Sequence, residues 1–184
     1  MKLLITGSYG QLGNELTKIL KNGRAEIGEI SPAYSGCEII AVDYDALDIT
    51  DKDAVQAFIQ EHQPDIIFNC AAMTNVDQCE TDFETAMKVN AIGPRNLARA
   101  AKQTGAKLVH VSTDYVFSGT QATPRCEWDL CAPNTVYGKS KLLGERYAME
   151  QCPNTFVVRT AWLYGYVGKN FVKTMLRLGK EKEQ

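Results

Sequence analysis

A tyrosine and a lysine lie four residues apart in the segment VYGKSK (136–141). On a helix, residues with this spacing share a face, so Tyr137 and Lys141 could point into one small volume. A lysine ammonium favours the phenolate and would lower the pKa of Tyr137, making the phenol a proton donor or acceptor near neutral pH. The alternative interpretation of this segment alone is a helix start with a half-buried tyrosine and a solvated lysine.

A glycine-rich turn, TGSYGQLG (6–13), directly follows the apolar run KLLIT (2–6). Glycines permit a tight turn and let backbone N–H groups approach a pyrophosphate, while the N-terminus of the next helix adds partial positive charge. Because the turn follows a strand and opens an amphipathic helix, it predicts dinucleotide binding; a plain tight turn is the alternative. The predicted cofactor contacts here are Gly7, Gly10, Gln11, Leu12 and Gly13.

An acidic residue, Asp43, ends the second apolar run, CEIIAVD (37–43). An acid at this point can bond the ribose hydroxyls of adenosine, although Asp43 follows Gly13 by more than the usual ~20 residues. In that role Asp43 disfavours a 2′-phosphate and favours NADH over NADPH; a solvated loop acid is the alternative. Asp48 and Ile49 are predicted to lie near the adenine edge of the same site.

Small and hydroxyl residues follow the next two apolar runs. Ala71, Ala72 and Thr74 come after the third run and would let a cofactor lie close to the sheet, although packing under a helix explains small residues nearly as well. Thr113, at the end of the fourth run, would sit in the crevice where open α/β sheets bind ligands. The order of these motifs along successive strands favours a functional role for the Tyr137 pair.

Strand-length apolar runs alternate with segments of helical periodicity along the chain. The predicted strands are 2–6, 37–43, 65–71, 107–113 and 154–160, and the predicted helices are 11–22, 51–62, 82–105, one beginning near Tyr137, and 170–181. Thr50 with Asp53 resembles a capping box, Gly93 and Pro94 should disturb the third helix, and Gly105 should end it. Residues 21–36 are predicted to be a surface loop. This alternation predicts an α/β fold: a Rossmann-like, doubly wound parallel sheet with helices on both faces, in one NAD(P)-binding domain over 1–184.

Composition narrows the class of protein. The chain has 184 residues, 45% of them hydrophobic and 23% charged, with a net charge of −2. These values predict one globular domain with no footprint for nucleic acid and no membrane span. The six cysteines form no CxxC and only two histidines are present, so no metal site is expected. Without a secretory signal, we expect reduced thiols in the cytoplasm, with Cys70 as a small buried residue.

Several segments together resemble the extended, sugar-nucleotide-modifying branch of the short-chain dehydrogenase/reductase superfamily, and within it the family of dTDP-4-dehydrorhamnose reductases. These segments are GSYGQLGNEL, ALDITD, PDIIFNCAAMTNVDQCE, VNAIGPRNLA, STDYVFSG, VYGKSKLLGE and RTAWLYG. The glycine turn and YxxxK occur throughout the superfamily, whereas STDYVFSG with RTAWLYG is more specific to the reductases. The match runs from residue 2 to about 176.

The resemblance implies a mechanism in which NADH or NADPH delivers hydride to the C4 keto group of dTDP-6-deoxy-L-lyxo-4-hexulose. Tyr137 would protonate the developing alkoxide, Lys141 would hold the nicotinamide ribose and lower the tyrosine pKa, and Thr113 would bond the reacting oxygen. The implied substrate contacts are Thr74, Val76, Thr113, Tyr115, Tyr137 and Trp162. Trp162 has an alternative role as a core residue after the fifth strand.

The resemblance also implies roles for two further residues and a second part of the protein. Asn90 could help to build a proton relay or could simply pack, and Glu15 matches a glutamate associated with Mg²⁺ at a dimer interface in some members, although an exposed helix glutamate is the simpler interpretation. The resemblance allows a homodimer. The family's C-terminal part, which supplies most of the nucleotide-sugar site, lies beyond residue 184, so cofactor binding with poor turnover is expected of this chain.

Two alternative functions remain. The chain could act on another nucleotide sugar as an epimerase, dehydratase or reductase, although Asp114 is not followed by the glutamate typical of a dehydratase. It could also be a non-catalytic NAD(P)-binding module resembling the regulatory beta subunit of methionine adenosyltransferase. The presence of Thr113, Tyr137 and Lys141 favours an enzyme.

Overall fold

A computed structural model describes residues 1–181. Its strands, in chain order, are β1 (Lys2–Thr6), β2 (Arg24–Ala25), β3 (Gly28–Glu29), β4 (Glu38–Val42), β5 (Ile66–Asn69), β6 (Lys107–Thr113) and β7 (Thr155–Thr160). Five of them form a parallel sheet in the order β4-β1-β5-β6-β7. The remaining pair, β2 and β3, forms a small antiparallel ribbon outside this sheet.

The helices, in chain order, are α1 (Gln11–Asn22), α2 (Lys52–His62), α3 (Val76–Thr81), α4 (Phe83–Met87), α5 (Gly93–Thr104), α6 (Val136–Gln151) and α7 (Phe171–Glu181). A π-helical segment, Lys88–Ile92, connects α4 to α5. Within the described residues, no helix is both long enough and apolar enough to cross a bilayer.

The strand order makes the sheet doubly wound. The chain passes from β1 through α1 to β4 on one side, and then returns through α2 across β1 to β5. Right-handed crossovers in opposite directions put their helices on opposite faces of the sheet, which confirms the predicted Rossmann-like α/β fold. The strand order reverses between β4 and β5 around β1, so a ligand crevice is expected at the carboxyl ends of these strands.

The core lies between this sheet and the helices α2 and α5. Leu4, Ile67 and Leu108 lie side by side on neighbouring strands and are fully buried. Ile59 and Leu97 come from the helices and belong to the same buried cluster. Burying side chains of this size stabilises the fold by about 1.5–3 kcal/mol each, which anchors the strand ends that form the crevice.

Helix α2 has a different cap from the predicted one. The Asp51 carboxylate accepts hydrogen bonds from the backbone N–H groups of Asp53 and Ala54, so the predicted Thr50 cap is wrong. An aspartate at this position satisfies two donors that the helix leaves unpaired and also carries a favourable charge. Thr50 lies one residue earlier, where its own N–H donates to Asp48.

The single helix predicted for 82–105 is interrupted. Its break lies in the π-helical segment before Gly93, and not at Gly93 and Pro94, which open α5. Pro94 fits there because the first turn of a helix needs no donor from it. Gly105 ends α5 in the left-handed conformation with φ 78°, as predicted.

The other observed boundaries of strands and helices agree closely with the predicted ones, with two differences. The predicted loop 21–36 contains the β2–β3 ribbon and a short turn at Pro32–Tyr34. Strand β5 ends at Asn69, two residues earlier than predicted, so Cys70 and Ala71 belong to the loop above the sheet. The last residues of the chain, 182–184, lie outside the described residues.

Candidate active site

A cavity of about 790 Å³ lies at the carboxyl ends of the strands. It adjoins a smaller cavity of about 280 Å³, and Gly10, Cys70 and Ala72 line both. The larger volume is within the range of small-molecule sites, and its position is the crevice expected from the strand order.

Every residue predicted to bind cofactor or substrate lines one of these cavities. The larger cavity is lined by Gly10, Gln11, Leu12, Gly13, Ala72, Thr74, Val76, Thr113, Tyr115, Tyr137, Lys141 and Trp162. The smaller cavity is lined by Gly7, Gly10, Asp43, Asp48, Ile49, Ala71 and Ala72. The fold therefore brings together motifs that are widely separated in the sequence, while their individual roles stay predictions.

The glycine turn closely approaches the loop after β5. Gly7 has φ 68°, and a side-chain carbon there would lie 2.6 Å from the Ala71 nitrogen. A side-chain carbon at Gly13 would collide with the Gly7 carbonyl. The cap residue of α1, Gly10, offers no side-chain acceptor to the first N–H groups of this helix, and residues 10–13 line the larger cavity. Such a cradle fits a pyrophosphate.

Asp43 is fixed at the smaller cavity by two backbone donors. Its carboxylate accepts from the Tyr9 N–H at 2.8 Å and from the Tyr44 N–H at 2.9 Å. Among residues 1–181, no lysine or arginine lines this cavity. The carboxylate is therefore held in place and has no neighbouring cation to receive a second anionic group.

Tyr137 and Lys141 lie on the first two turns of α6. Thr135 caps this helix by accepting from the Gly138 N–H at 3.0 Å, which fixes where the helix begins. The exposed fraction is 9% for Tyr137 and 2% for Lys141. The Lys141 ammonium donates to the Val111 carbonyl at 2.7 Å, and the Tyr137 ring packs edge-on against Tyr115 at 5.4 Å between centroids.

Burial moves the pKa values of this pair in opposite directions. It raises the pKa of Tyr137, with the Thr113 side chain acting to lower it, so the predicted lowering by Lys141 is wrong. The physical reason is that the loss of solvation dominates at the phenol, while the ammonium is directed at Val111. Burial lowers the pKa of Lys141 to about 8, against the influence of Glu145 and then Cys70.

The Thr113 hydroxyl is already engaged in local hydrogen bonds. It donates to the Asp114 carboxylate at 3.0 Å and accepts from the Tyr115 N–H at 3.2 Å. The hydroxyl caps the short turn Asp114–Val116, which holds it beside the Tyr137 phenol. To donate to a ketone oxygen, it must rotate away from Asp114.

Both the oxygen and the nitrogen of the Asn90 side-chain amide form structural hydrogen bonds. Its oxygen accepts from the Met73 N–H at 2.9 Å, and its nitrogen donates to the Met73 carbonyl and to Ser140. These bonds fix the loop after β5 against α6, which supports the packing alternative for this side chain. Glu15 is partly exposed on α1, and residues 1–181 contain no group of three or more His, Cys, Asp or Glu side chains placed to hold a metal ion.

The segment after β7 forms a wall of the larger cavity that the sequence interpretation missed, apart from Trp162. Gln11 ties this wall to the glycine turn, since its amide donates to the Leu163 carbonyl at 2.9 Å and accepts from Asn170 at 2.9 Å. Trp162 is 67% exposed, with φ 53°, so the alternative of a core residue is wrong. The aromatic run AWLYGY (161–166), directly after a strand, was the available signal.

Cys70 also differs from its prediction. The side chain is partly exposed and lines both cavities, whereas a buried packing role was predicted. Burial still raises the pKa of its thiol to about 11, against the effect of Lys141, so the thiol is protonated at neutral pH.

The parallel sheet with helices on both faces is the Rossmann-like fold of the extended short-chain dehydrogenases/reductases. The chain belongs to the family whose model is described as the RmlD substrate binding domain, and the match covers residues 1–184.

Relatives with established names agree with this assignment. The chain is 44% identical to a dTDP-4-dehydrorhamnose reductase of Aggregatibacter actinomycetemcomitans over 99% of this chain and 58% of that protein. It is 42% identical to a probable dTDP-4,6-dihydroxy-2-methyloxan-3-one 4-ketoreductase of Streptomyces antibioticus, over 96% of this chain and 56% of the relative. A crystal structure of dTDP-4-dehydrorhamnose reductase from Bacillus anthracis in complex with NADP has 46% identity and a TM-score of 0.88, over 99% of this chain and 60% of that one. The chain thus spans somewhat over half the length of these relatives.

Proposed function

We propose that this chain carries the cofactor-binding and catalytic part of a dTDP-4-dehydrorhamnose reductase. The reaction is the NAD(P)H-dependent reduction of the 4-keto group of dTDP-6-deoxy-L-lyxo-4-hexulose to give dTDP-L-rhamnose. The observation that carries the proposal is the buried Tyr137–Lys141 pair, which opens onto the same cavity as the glycine turn. The identity of the proposed substrate is taken from the names of the similar proteins.

The residues of the site support a division of tasks. Bound NAD(P)H supplies the hydride. The N-terminus of α1 binds and orients the pyrophosphate, and Lys141 holds the ribose next to the nicotinamide. Tyr137 stays protonated at neutral pH because burial raises its pKa, so its phenol donates the proton that the reduced oxygen needs. Thr113 donates a hydrogen bond to the same oxygen and stabilises its developing charge.

The cofactor preference proposed is NADH over NADPH. Asp43 places a fixed negative charge at the smaller cavity, where the adenosine ribose would lie, and no cation lines this cavity within residues 1–181. A 2′-phosphate there would meet repulsion without a counter-charge. Because the Bacillus anthracis relative was solved with NADP, the affinities for both cofactors have to be measured side by side.

The substrate assignment has one specific competitor. The Streptomyces antibioticus relative is named as a ketoreductase for a different dTDP-sugar ketone, and its identity to this chain is similar. The two substrates share the dTDP nucleotide and differ in the sugar, and the similar identities of the two relatives do not decide between the sugars. A homodimer, Mg²⁺ near Glu15 and a cytoplasmic location stay predictions.

The test is NAD(P)H oxidation by the complete reading frame with each of these two dTDP-sugar ketones. Turnover with dTDP-6-deoxy-L-lyxo-4-hexulose and formation of dTDP-L-rhamnose would support the proposal. Turnover only with the second ketone would move the assignment to that sugar. Tight NADH binding without turnover of either substrate would favour a regulatory module.

A further inference from the structure

Glu145 is a fully buried carboxylate on α6 to which the proposed chemistry gives no task. It lies one helical turn beyond Lys141 and two turns beyond Tyr137, so the three side chains share one face of the helix. A buried carboxylate is costly unless opposite charges or hydrogen-bond donors surround it. The groups around Glu145 therefore indicate what it does.

Arg159 on β7 binds both oxygens of this carboxylate. Its Nε donates at 2.9 Å and its Nη2 at 2.7 Å, in a two-pronged geometry that fixes the direction of Glu145. The same guanidinium lies 5.1 Å from the centre of the Phe117 ring and reaches the Glu127 carbonyl at 3.4 Å. The position of Glu145 is thus set from β7 and from the segment after β6.

Lys141 lies one helical turn before Glu145 on the same buried face of α6, while the carboxylate forms its ion pair with Arg159 at 2.7 Å. Burial lowers the pKa of Lys141 to about 8, and Glu145 is the strongest group acting against that decrease, followed by Cys70. On β6, His110 is fully buried, and burial and then Lys141 lower the pKa of its ring, which is therefore neutral. Tyr137, the remaining titratable neighbour on this face, is protonated at neutral pH. Glu145 is therefore the anion that balances the buried ammonium.

We propose that Glu145 is a positioning residue for the catalytic pair: its carboxylate, oriented by Arg159, keeps the buried Lys141 ammonium charged and in place beside the Val111 carbonyl. The use that Lys141 makes of this charge rests on the proposed reductase function, whereas the charge itself can be measured without it. The alternative is that Glu145 and Arg159 only fasten α6 to β7, in which case the charge of Glu145 has no effect on Lys141.

The first experiment is a pH titration of Lys141 by NMR in protein labelled at the lysine Cε carbons, with Lys141→Arg to assign the signal. Glu145→Gln removes the charge and nearly preserves the shape. We expect the Lys141 midpoint to fall by about one pH unit, because a buried cation loses its nearest opposite charge. An unchanged midpoint in the folded variant would overturn the proposal.

Glu84→Gln is the matched control. Glu84 also pairs with a cation, Lys88 four residues further on, but both side chains are largely exposed. Its substitution should leave the Lys141 midpoint unchanged, and a fall of equal size in this control would overturn a specific role for Glu145.

A second variant covers the case in which Glu145→Gln does not fold because Arg159 is left unpaired. The double variant Glu145→Gln/Arg159→Met removes both charges of the pair, a change that proteins often tolerate. Glu145 acts on the Lys141 pKa directly, whereas the loss of the Arg159 charge opposes the effect of its removal, so a smaller fall in the same direction is expected. A Lys141 midpoint that stays in place here would overturn the proposal equally.

Kinetics then connect the charge to the chemistry. In the complete reading frame, the basic limb of the kcat/KM profile should move to lower pH in Glu145→Gln and return toward the wild-type position in Glu145→Asp. A limb that does not move while the Lys141 midpoint falls would overturn the positioning role. A wild-type enzyme that reduces neither ketone would contradict the proposed function, and the NMR titration would still decide the effect of Glu145.

Discussion

Tyr137 and Lys141 are one helical turn apart on α6, yet the same burial affects their protons in opposite ways. It stabilises the neutral form of each, so the phenol retains its proton to higher pH and the ammonium loses its proton at lower pH. A protonated phenol beside a polarised ketone suits reduction, in which the enzyme must supply a proton. In the proposed reaction, burial rather than the lysine would keep the Tyr137 phenol protonated.

Replacing Tyr137 with phenylalanine should separate chemistry from binding. We expect turnover to fall by about 100-fold or more, since the proton donor is removed, while NADH affinity and the melting temperature stay close to wild type. Steady-state kinetics and cofactor titration measure the two effects. Tyr147→Phe is the control, because Tyr147 lies on the same helix and does not line the cavity. Wild-type turnover in Tyr137→Phe would contradict the general-acid assignment.

Asp43 should determine the choice between cofactors. Asp43→Asn removes the charge next to the expected ribose position, so we expect the NADPH-to-NADH affinity ratio to rise roughly five- to tenfold, as a like charge nearby costs about 1 kcal/mol. Asp45→Asn is the control, because Asp45 belongs to the same loop and does not line the cavity. An unchanged ratio in Asp43→Asn, measured by fluorescence titration, would rule out this role.

The sequence predicted which residue types follow each strand, but it did not predict the protonation states of the site residues. Gly7, Asp43 and Thr113 were predicted because each proposed role requires a particular residue after a particular strand, and all three line the cavities, while their roles stay predictions. The direction of the Tyr137 pKa was not predicted correctly, because it depends on how much solvent the packed structure removes. Glu145 was missed for the same reason: a helix glutamate is usually exposed, and only its pairing with Arg159 shows why this one is buried.

At the scale of elements, α6 approaches the π-helical segment so closely that no side chain fits at Gly144. A side-chain carbon at Gly144 would collide with the Asn90 carbonyl. This contact lies one turn beyond Ser140, which accepts a hydrogen bond from the Asn90 amide. The irregular turn Lys88–Ile92 therefore packs directly on the helix that carries Tyr137 and Lys141.

Gly144→Ala should consequently destabilise the protein, although alanine normally favours a helix. We expect the free energy of unfolding to decrease by about 1–3 kcal/mol, because backbone has to move to relieve the collision. Urea denaturation measures this change. Gly179→Ala on α7 is the control, since nothing lies near its side-chain position and alanine should be neutral or stabilising by up to about 1 kcal/mol. Equal stability of the two variants would contradict the close packing of α6.

The regular elements could be predicted because their signals are local. Strands β1 and β6 match their predicted limits, since each is a short apolar run bounded by polar residues. The π-helical segment could not be predicted, because no residue type specifies it and its contacts with α6 are distant in the sequence. The β2–β3 ribbon was missed for a related reason: two-residue strands are too short for periodicity to reveal.

At the scale of the whole molecule, buried polar side chains connect three strands of the sheet below the cavity. Thr6 on β1 donates to the Asn69 oxygen at 2.8 Å, and the Asn69 amide lies 3.0 Å from Nδ1 of His110 on β6. Asn69 also accepts from the Ala71 N–H at 3.2 Å. This row couples the turn that carries Gly7 to the strand that ends in Thr113, so site geometry depends on the integrity of the sheet.

The buried ammonium of Lys141 should also make global stability depend on pH. Its pKa falls from 10.5 to about 8 on folding. Between these values the unfolded chain binds more protons than the folded protein, so the stability contributed at this site rises with pH. The cost of burying the charge is fully present below about pH 8 and disappears as the pH approaches 10.5, and it amounts to about 3 kcal/mol at most.

Lys141→Met should therefore be more stable than wild type at pH 7, and this advantage should shrink as the pH rises from 8 to 10. Subtracting the two urea-unfolding curves at each pH cancels most other titrating groups, although Cys70 is coupled to Lys141 and contributes near pH 10. Lys139→Met provides the control on the same helix, because the Lys139 side chain is exposed to solvent. If the stability difference between Lys141→Met and wild type did not change with pH, the Lys141 ammonium would be solvated. The proposal that Glu145 keeps a buried ammonium charged would then be rejected as well.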